Sequence, residues 1–446
     1  MTVIHAGSLK FMKDAAMTSP LRLGIAGLGT VGIGVLRTIR RKADLLEARA
    51  GRPVRVTAVS ARSRQKDRGV SLGDYAWEDD PVALARRDDV DVYVELIGGE
   101  NGPAKASVLA ALEAGKDVVT ANKALLAHHG QALAETAEAA GRVLRFEAAV
   151  AGGIPVVKSL TEGLAANEVT RIMGVMNGTC NYILTRMEGA GLSYDEAFSE
   201  ADGLGYLEAD PNLDVGGIDA GHKLSLLSSI AFGTQVNFAG VELQGIGDVT
   251  IEDIHQAADM GYRIKLLGAA RLTGRGLEQR MAPCLVPANS PLGQLEGGTN
   301  MVVIEGDDVG QVVLRGAGAG EGPTASAVMG DVMDIARGLR VSTFGQPATQ
   351  LTPAIPAQAA TPAPYYLRLH LLDKPGAMAR IASVLGDAGV SINRMRQYSH
   401  AIETDAAPVL IVTHKTIRAS LDAAIDAMTQ TGVLADSPLA MRIEDL

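Results

Sequence analysis

The run GLGTVG, residues 27–32, follows the apolar stretch LRLGIA and opens onto VGIGVLRTIRR, whose apolar residues recur at helical spacing. This placement constrains the fold more than any other feature of the chain, because G-x-G-x-x-G acquires meaning only between a strand and a helix. There Gly27 permits a tight turn, Gly29 lets the backbone approach a pyrophosphate, and Gly32 lets the helix close on the strand. The helix N-terminus offers amide donors and partial positive charge to the phosphates. Beyond it, VRVTAVSA (54–61), DVDVYVELIG (89–98), KDVVTAN (116–122) and RVLRFEAAV (142–150) read as further strands, with Ala- and charge-rich helical stretches between them. Strand and helix alternating at that rhythm predict an α/β, doubly wound parallel sheet that holds a dinucleotide.

The residues after the second strand bear on which dinucleotide. In NAD-binding folds an acid there grips the ribose hydroxyls. The stretch ARSRQK instead holds Arg62, Arg64 and Lys66, which suits a 2′-phosphate and favours NADP over NAD; solvated loop charges are the alternative reading. Lys123 falls just past the end of the KDVVTAN strand, where such sheets bind ligands, although a lone lysine is also an ordinary surface charge. Gly320 precedes a helical stretch, GPTASAVMGDVMDIARGL, and can either approach a cofactor or form a simple helix-start turn.

The bulk properties exclude several classes. The chain has 446 residues, enough for two or three domains, and a formal charge of −10 with no dense Lys/Arg patch, which argues against a polyanionic partner such as nucleic acid. Cys180 and Cys284 are too few for a disulfide framework or a zinc cage. No apolar run is long enough to span a membrane, and the opening twenty residues lack a signal-peptide core, so the expected location is the cytoplasm. Residues 1–20 read as a loose extension, with Met1 or Met17 as the start. Residues 150–342 mix helices with irregular loops and the strands MVVIEGDD and GQVVLRG. Residues 343–364 hold five prolines and little charge, the composition of a linker. From 365 the order is strand (365–372), helix (376–388), strand (389–399), then strand, helix and strand in APVLIVTH, IRASLDAAIDAMTQTG and MRIED, a ferredoxin-like βαββαβ pattern.

One stretch concentrates unusual chemistry. LEADPNLDVGGIDAGHKLSLL, residues 207–227, carries Glu208, Asp210, Asp214 and Asp219 before Lys223. Acidic loops are commonly just solvated, and Asp at a helix start is ordinary capping. Yet Asp219 and Lys223 lie four apart on one helical face, and Leu224, Leu226, Leu227 and Ile230 mark that helix as buried. A lysine early in a buried helix requires a reason.

Taken together, GLGTVG, TANKALLA, EAAVAGGIPVV, GVMNGTCNYIL, GYLEADPNLDVGGIDAGHKL and GAGAGEGPTASAVMGD, in this order, closely resemble the homoserine dehydrogenases over about residues 20–342. LLDKPGAMARIASVLGDAGVSI resembles ACT domains, the amino-acid-sensing modules that follow many bacterial members, and the arrangement resembles the monofunctional form. The resemblance implies a Rossmann-type nucleotide domain at 21–150, joined by a returning helix at about 321–342. It further implies an α+β catalytic and dimerisation domain at 151–320 and an ACT domain at 365–446.

The implied activity is the NAD(P)-dependent interconversion of L-homoserine and L-aspartate 4-semialdehyde, in threonine, methionine and isoleucine biosynthesis. By resemblance Lys223 is the proton donor and acceptor, Asp219 orients it, Glu208 takes the substrate ammonium with Asp214 in the same substrate-binding cluster, and Lys123 is a second active-site lysine near substrate and cofactor. Cofactor contacts extend over Gly27, Gly29, Thr30, Val31, Gly32, Arg62, Thr120, Lys123 and Gly320. A monovalent cation, Na⁺ or K⁺, is implied at Glu147 and the carbonyls of Val150, Gly152 and Ile154. L-threonine is the implied effector, and a homodimer or homotetramer the implied assembly. Two rivals remain: an aspartate-semialdehyde dehydrogenase using Cys180 as nucleophile, and a non-catalytic amino-acid sensor.

Overall fold

The computed structural model describes residues 19–208, 210–397 and 406–444. The N-terminal extension up to residue 18, including Met17, lies outside the described residues, as do the ends of the strands read over 389–399 and 441–445. The chain forms two compact units. One comprises residues up to 125, 131–149 and 320–343; the other comprises 126–130, 150–319 and 344 onward.

The first unit is built on a six-stranded sheet. Its strands are β1 (Leu21–Ala26), β2 (Val54–Ser60), β3 (Ala76–Glu78), β4 (Val92–Glu95), β5 (Asp117–Thr120) and β6 (Leu144–Arg145), in the spatial order β3-β2-β1-β4-β5-β6. Every neighbouring pair is parallel. Strands buried on both faces need near-continuous apolar runs, and Leu23, Ile25, Val92, Val94, Val118 and Val119 are fully buried. The order reverses between β1 and β4, the switch point at which such sheets bind ligands outside their carboxyl ends. RVLRFEAAV extends less than its composition predicts: only Leu144–Arg145 pair, because Asp331 Oδ2 takes the Glu147 amide at 2.8 Å and Glu147–Ala149 coil into a short 3₁₀ turn.

The second unit contains a ten-stranded mixed sheet. It includes β7 (Val169–Val175), β8 (Glu242–Leu243), the long hairpin β9 (Tyr262–Thr273) and β10 (Gly276–Pro287), and the hairpin β11 (Thr299–Gly306) and β12 (Gly310–Ala317). It then continues into the C-terminal region through β13 (Tyr365–Leu372), β14 (Ile392–Gln397), β15 (Ala406–Thr413) and β16 (Leu439–Ile443). The path runs β12-β11-β7-β9-β10-β16-β13-β15-β14, with β8 on β10. The C-terminal βαββαβ region has its own core, including Leu367, Leu369, Ile381, Leu385, Ile411, Leu421 and Met428. Where the sequence suggests a third body, the structure joins this region to the rest of the ten-stranded sheet, because β16 pairs in parallel with β10 through Cys284–Arg442 and Leu285–Ile443.

Polar contacts reinforce that join. Asp253, fully buried, accepts from Tyr366 Oη at 2.9 Å and pairs with Arg368, which also donates to Thr250 Oγ1 at 2.8 Å. Glu444 pairs with Arg280 and with Arg442. The proline-rich segment is fastened along the sheet: Leu277 and Pro356 form a bridge, and Thr361 donates its amide and hydroxyl to Glu278 Oε1 at 2.7 and 2.6 Å.

Candidate active site

The glycine-rich turn sits at the switch point, and each glycine has a different steric reason to be there. Gly27 has φ +99°, and a Cβ on it would lie 2.2 Å from Leu96 O at the end of β4. A Cβ on Gly32 would lie 2.1 Å from Gly27 O. Gly29 instead faces open space, with no atom of the described residues beyond its chain neighbours within 4 Å of an added Cβ. It is the N-cap of the helix Thr30–Arg41 and no side chain caps that helix, so its first amides are left for an anion. Thr30 is exposed and Val31 half-buried beside them. These features fit a dinucleotide pyrophosphate.

Ser60 ends β2 with no acid after it, and Arg62, Arg64 and Lys66 are exposed on the following loop. The residue that shapes this loop is one the sequence reading did not single out. Arg68 donates to Leu28 O at 3.2 Å, Lys66 O at 2.8 Å and Ser63 O at 2.5 Å, and its guanidinium lies 5.9 Å from the Trp77 ring centre. The basic loop is thereby tied to the glycine-rich turn.

A second unanticipated group is Glu95, fully buried at the end of β4. Its Oε1 accepts from the amides of Ile97 and Gly98 at 2.7 and 3.0 Å, and its Oε2 accepts from Thr120 Oγ1 at 2.5 Å. Thr120 Oγ1 in turn accepts from Asn122 N at 3.0 Å, so its hydroxyl is committed within the protein. Asn122 donates to Gly99 O at 2.8 Å and caps the helix Lys123–Ala139 through Leu125 N. Lys123 is therefore placed, half-buried, as the first residue of a capped helix. Gly320, with φ +116°, precedes the helix Glu321–Ala336, which packs closely on Gly34 and is tied to Arg37 through Glu321 at 2.8 Å.

In the second unit the acidic stretch resolves into a buried network. Lys223 Nζ donates to Asp219 Oδ2 at 2.6 Å and to Met176 O at 2.8 Å. Asn177, the cap of the helix Gly178–Ala190, donates its side-chain amide to Asp214 Oδ1 at 2.9 Å and more distantly to Asp219 Oδ2 at 3.5 Å. Asp214 Oδ2 accepts from the Glu208 amide at 3.1 Å. Asn177, Asp214, Asp219 and Lys223 are all buried, whereas Glu208 is exposed. Two buried carboxylates and one ammonium are tolerable only because amide donors supply the balance. Asn177 and the Met176 carbonyl were missed in the sequence, although Asn before a Gly-Thr-Cys helix start is a capping signal.

The remaining polar residues have plainer roles. Asp210 accepts from Asn212 N at 3.1 Å, and His222 packs on Phe238 with ring centres 4.2 Å apart. Cys180 is fully buried, and burial together with Asp214 pushes its thiol well above the usual range, which removes it as a nucleophile. Glu147 is buried. In the 150–154 turn Ala151 and Gly152 have successive φ values of 54° and 53°, strain unusual for alanine.

Because Gly29 meets no protein atom, Gly29→Ala is expected to leave the thermal midpoint of the cofactor-free protein unchanged while weakening NADPH binding by about tenfold or more. Calorimetric melting and fluorescence titration check both halves. A lowered midpoint with unchanged affinity contradicts the assignment.

Comparison with known proteins places this geometry. Residues 27–147 match the NAD binding domain of homoserine dehydrogenase, 155–333 the homoserine dehydrogenase domain, and 365–433 the ACT domain. The homoserine dehydrogenase of Neisseria gonorrhoeae is 42% identical over 96% of this chain and 99% of its own length, and that of Pseudomonas aeruginosa 40% identical over the same shares. The crystal structure of a homoserine dehydrogenase from Thiobacillus denitrificans superposes with a TM-score of 0.90 at 40% identity, covering 96% of this chain and 99% of that one. A hyperthermophilic archaeal homoserine dehydrogenase in complex with NADPH is similar over 71% of this chain and 97% of its own, with a TM-score of 0.60 and 26% identity. The chain thus belongs to the homoserine dehydrogenase family of oxidoreductases, with a C-terminal ACT domain.

Proposed function

We propose that the protein interconverts L-homoserine and L-aspartate 4-semialdehyde with NADP as hydride carrier, and that Lys223 moves the proton. The observation that carries this reading is a buried lysine held by Asp219 and the Met176 carbonyl. An ammonium has three donors; among the described residues two are engaged, which leaves the third for a substrate oxygen. The bound dinucleotide supplies the hydride to the aldehyde carbon, or accepts it from the alcohol carbon. As negative charge develops on the oxygen, Lys223 stabilises it and delivers a proton; in the reverse direction the same amine takes the alcohol proton.

Glu208 takes the substrate ammonium. Asp214, whose oxygens bind Asn177 and the Glu208 amide, serves the substrate by fixing the backbone from which Glu208 extends. Lys123 provides a second cation for substrate and cofactor. NADP contacts are assigned to Gly27, Gly29, Thr30, Val31, Gly32, Arg62, Thr120, Lys123 and Gly320, with Thr120 acting through its backbone because its hydroxyl is engaged. The preference for NADP rests on the basic loop and the lack of an acid after β2. The cation assignment to Glu147, Val150, Gly152 and Ile154 rests on resemblance and is supported by the strained turn at Ala151, since strain of this kind clusters at functional sites. A dimer or tetramer in the cytoplasm, acting in threonine, methionine and isoleucine biosynthesis, completes the proposal. Among the described residues no helix is long and apolar enough to cross a membrane.

Feedback by L-threonine through the ACT domain belongs to the same reading. The continuous sheet and the buried Asp253 contacts support it, because a ligand-induced change in the C-terminal region has a stiff route into the catalytic sheet.

Loss of NADPH absorbance with L-aspartate 4-semialdehyde tests the chemistry. Wild type turns over, and Lys223→Ala loses about a hundredfold or more of kcat, as expected for a general acid; equal rates would place the proton donor elsewhere. In the same assay, L-threonine at about millimolar concentration lowers the rate, as differential binding to two states requires. Full activity at that concentration rejects the effector assignment.

A further inference from the structure

A second buried lysine has no part in the chemistry above. Lys265, on β9, is 1% exposed, and its Nζ donates to Leu295 O at 2.5 Å and Asn181 Oδ1 at 3.1 Å. Burying an ammonium is costly, so this position asks for a reason beyond packing. The reason lies in what those two acceptors hold.

Asn181, on the helix that Asn177 caps, donates to Gly297 O at 2.7 Å, and Gly297 N donates to Thr185 Oγ1 at 3.2 Å. The segment 295–298 is thereby sewn to one face of that helix. Its last residue, Gly298, is wedged. A Cβ on Gly178 would lie 2.7 Å from Gly298 O, and a Cβ on Gly298 would lie 3.2 Å from the Tyr206 ring. Tyr206 is stacked on Tyr182 with ring centres 4.6 Å apart, and its carbonyl accepts from Thr179 Oγ1 at 2.9 Å. Two residues later comes Glu208. On the other side of the wedge, Gly178 follows Asn177, which ties Asp214 and Asp219 together. One buried amine therefore secures the segment that abuts both the Glu208 loop and the cap beneath the Lys223 network.

We propose that Lys265 is a positioning residue for substrate binding, acting through Asn181 and the 295–298 segment on the loop that carries Glu208. The inference rests on the proposed role of Glu208. Burial lowers the Lys265 amine to about 8, against the attraction of Glu188 and Glu296 and with the repulsion of Arg263; Cys284 lies opposite it on β10. As the pH rises through that value its two hydrogen bonds lose their charge assistance, and the segment is held less firmly.

The test is steady-state kinetics of the full-length enzyme with Lys265→Met. The KM for L-aspartate 4-semialdehyde is expected to rise about tenfold, with kcat within about threefold of wild type and the KM for NADPH unchanged, the pattern of lost ground-state binding. Wild type is also expected to show a rise in that KM between about pH 7 and about pH 8.5, and Lys265→Met to lack it. Lys265→Gln, which keeps two N–H donors but no charge, carries the same test if the methionine variant does not fold, with a smaller rise and no pH step. Glu208→Ala is the control. If it raises the KM while both Lys265 variants match wild type, the positioning role is wrong and the reading of Glu208 stands. If Glu208→Ala leaves the KM unchanged, the reading of Glu208 itself fails. Equal rises in the KM values for NADPH and semialdehyde would indicate general loosening and also overturn the proposal.

Discussion

The ammonium of Lys223 lies in a space from which water is largely excluded, held by one carboxylate oxygen and one backbone carbonyl. Removing one partner from a buried ion pair typically costs about 3–5 kcal/mol, because a charge is left uncompensated. The pair must therefore be built by parts of the chain that cannot drift. Asp219 and Lys223 come from successive turns of one helix; Met176 follows directly on β7; Asn177 caps the next helix and donates to both Asp214 and Asp219. The sheet, the cap and the lysine helix are three independent supports for one amine.

The nucleotide unit solves a different problem. Its turn must come close to phosphate without side chains in the way, and it must do so where two strands diverge. Gly27 and Gly32 are required by contacts within the protein, whereas a side chain on Gly29 would meet no atom of the described residues and would stand where a pyrophosphate is proposed to bind. Behind the turn, the buried Glu95 gathers two amides and the Thr120 hydroxyl, so the loops after β4 and β5 are braced from within. Three donors offset the burial of that carboxylate, and its removal would leave three polar groups unsatisfied at once.

Much of this was legible in the sequence because the signals are local. The glycine spacing, the strand-helix rhythm and the i,i+4 placement of Asp219 and Lys223 depend only on residues near one another. What escaped depends on distant partners. The β9–β10 hairpin carries Lys265, Gln279 and Arg280 at buried positions, which masks its alternation, and their partners lie far along the chain. The joining of β16 to β10 could not be read from either strand alone. Nothing local to the sequence distinguishes Arg68 from its basic neighbours; its three carbonyl acceptors do. Glu95 likewise carries no local signal, because its donors lie on the loop after it and on the next strand. The proline-rich segment was read from composition, and composition does not register the hydrogen bonds from Thr361 to Glu278.

The central claim is that Asp219 acts on the reaction through Lys223 and not independently. A double-mutant cycle in kcat for semialdehyde reduction, using Asp219→Ala, Lys223→Ala and the double variant, addresses it most directly. The account predicts that the double variant is no slower than Lys223→Ala alone, within about threefold, because once the amine is gone the carboxylate has nothing to orient. If the two losses multiply, Asp219 touches the reaction on its own, and the paired arrangement described here is not how the enzyme moves its proton.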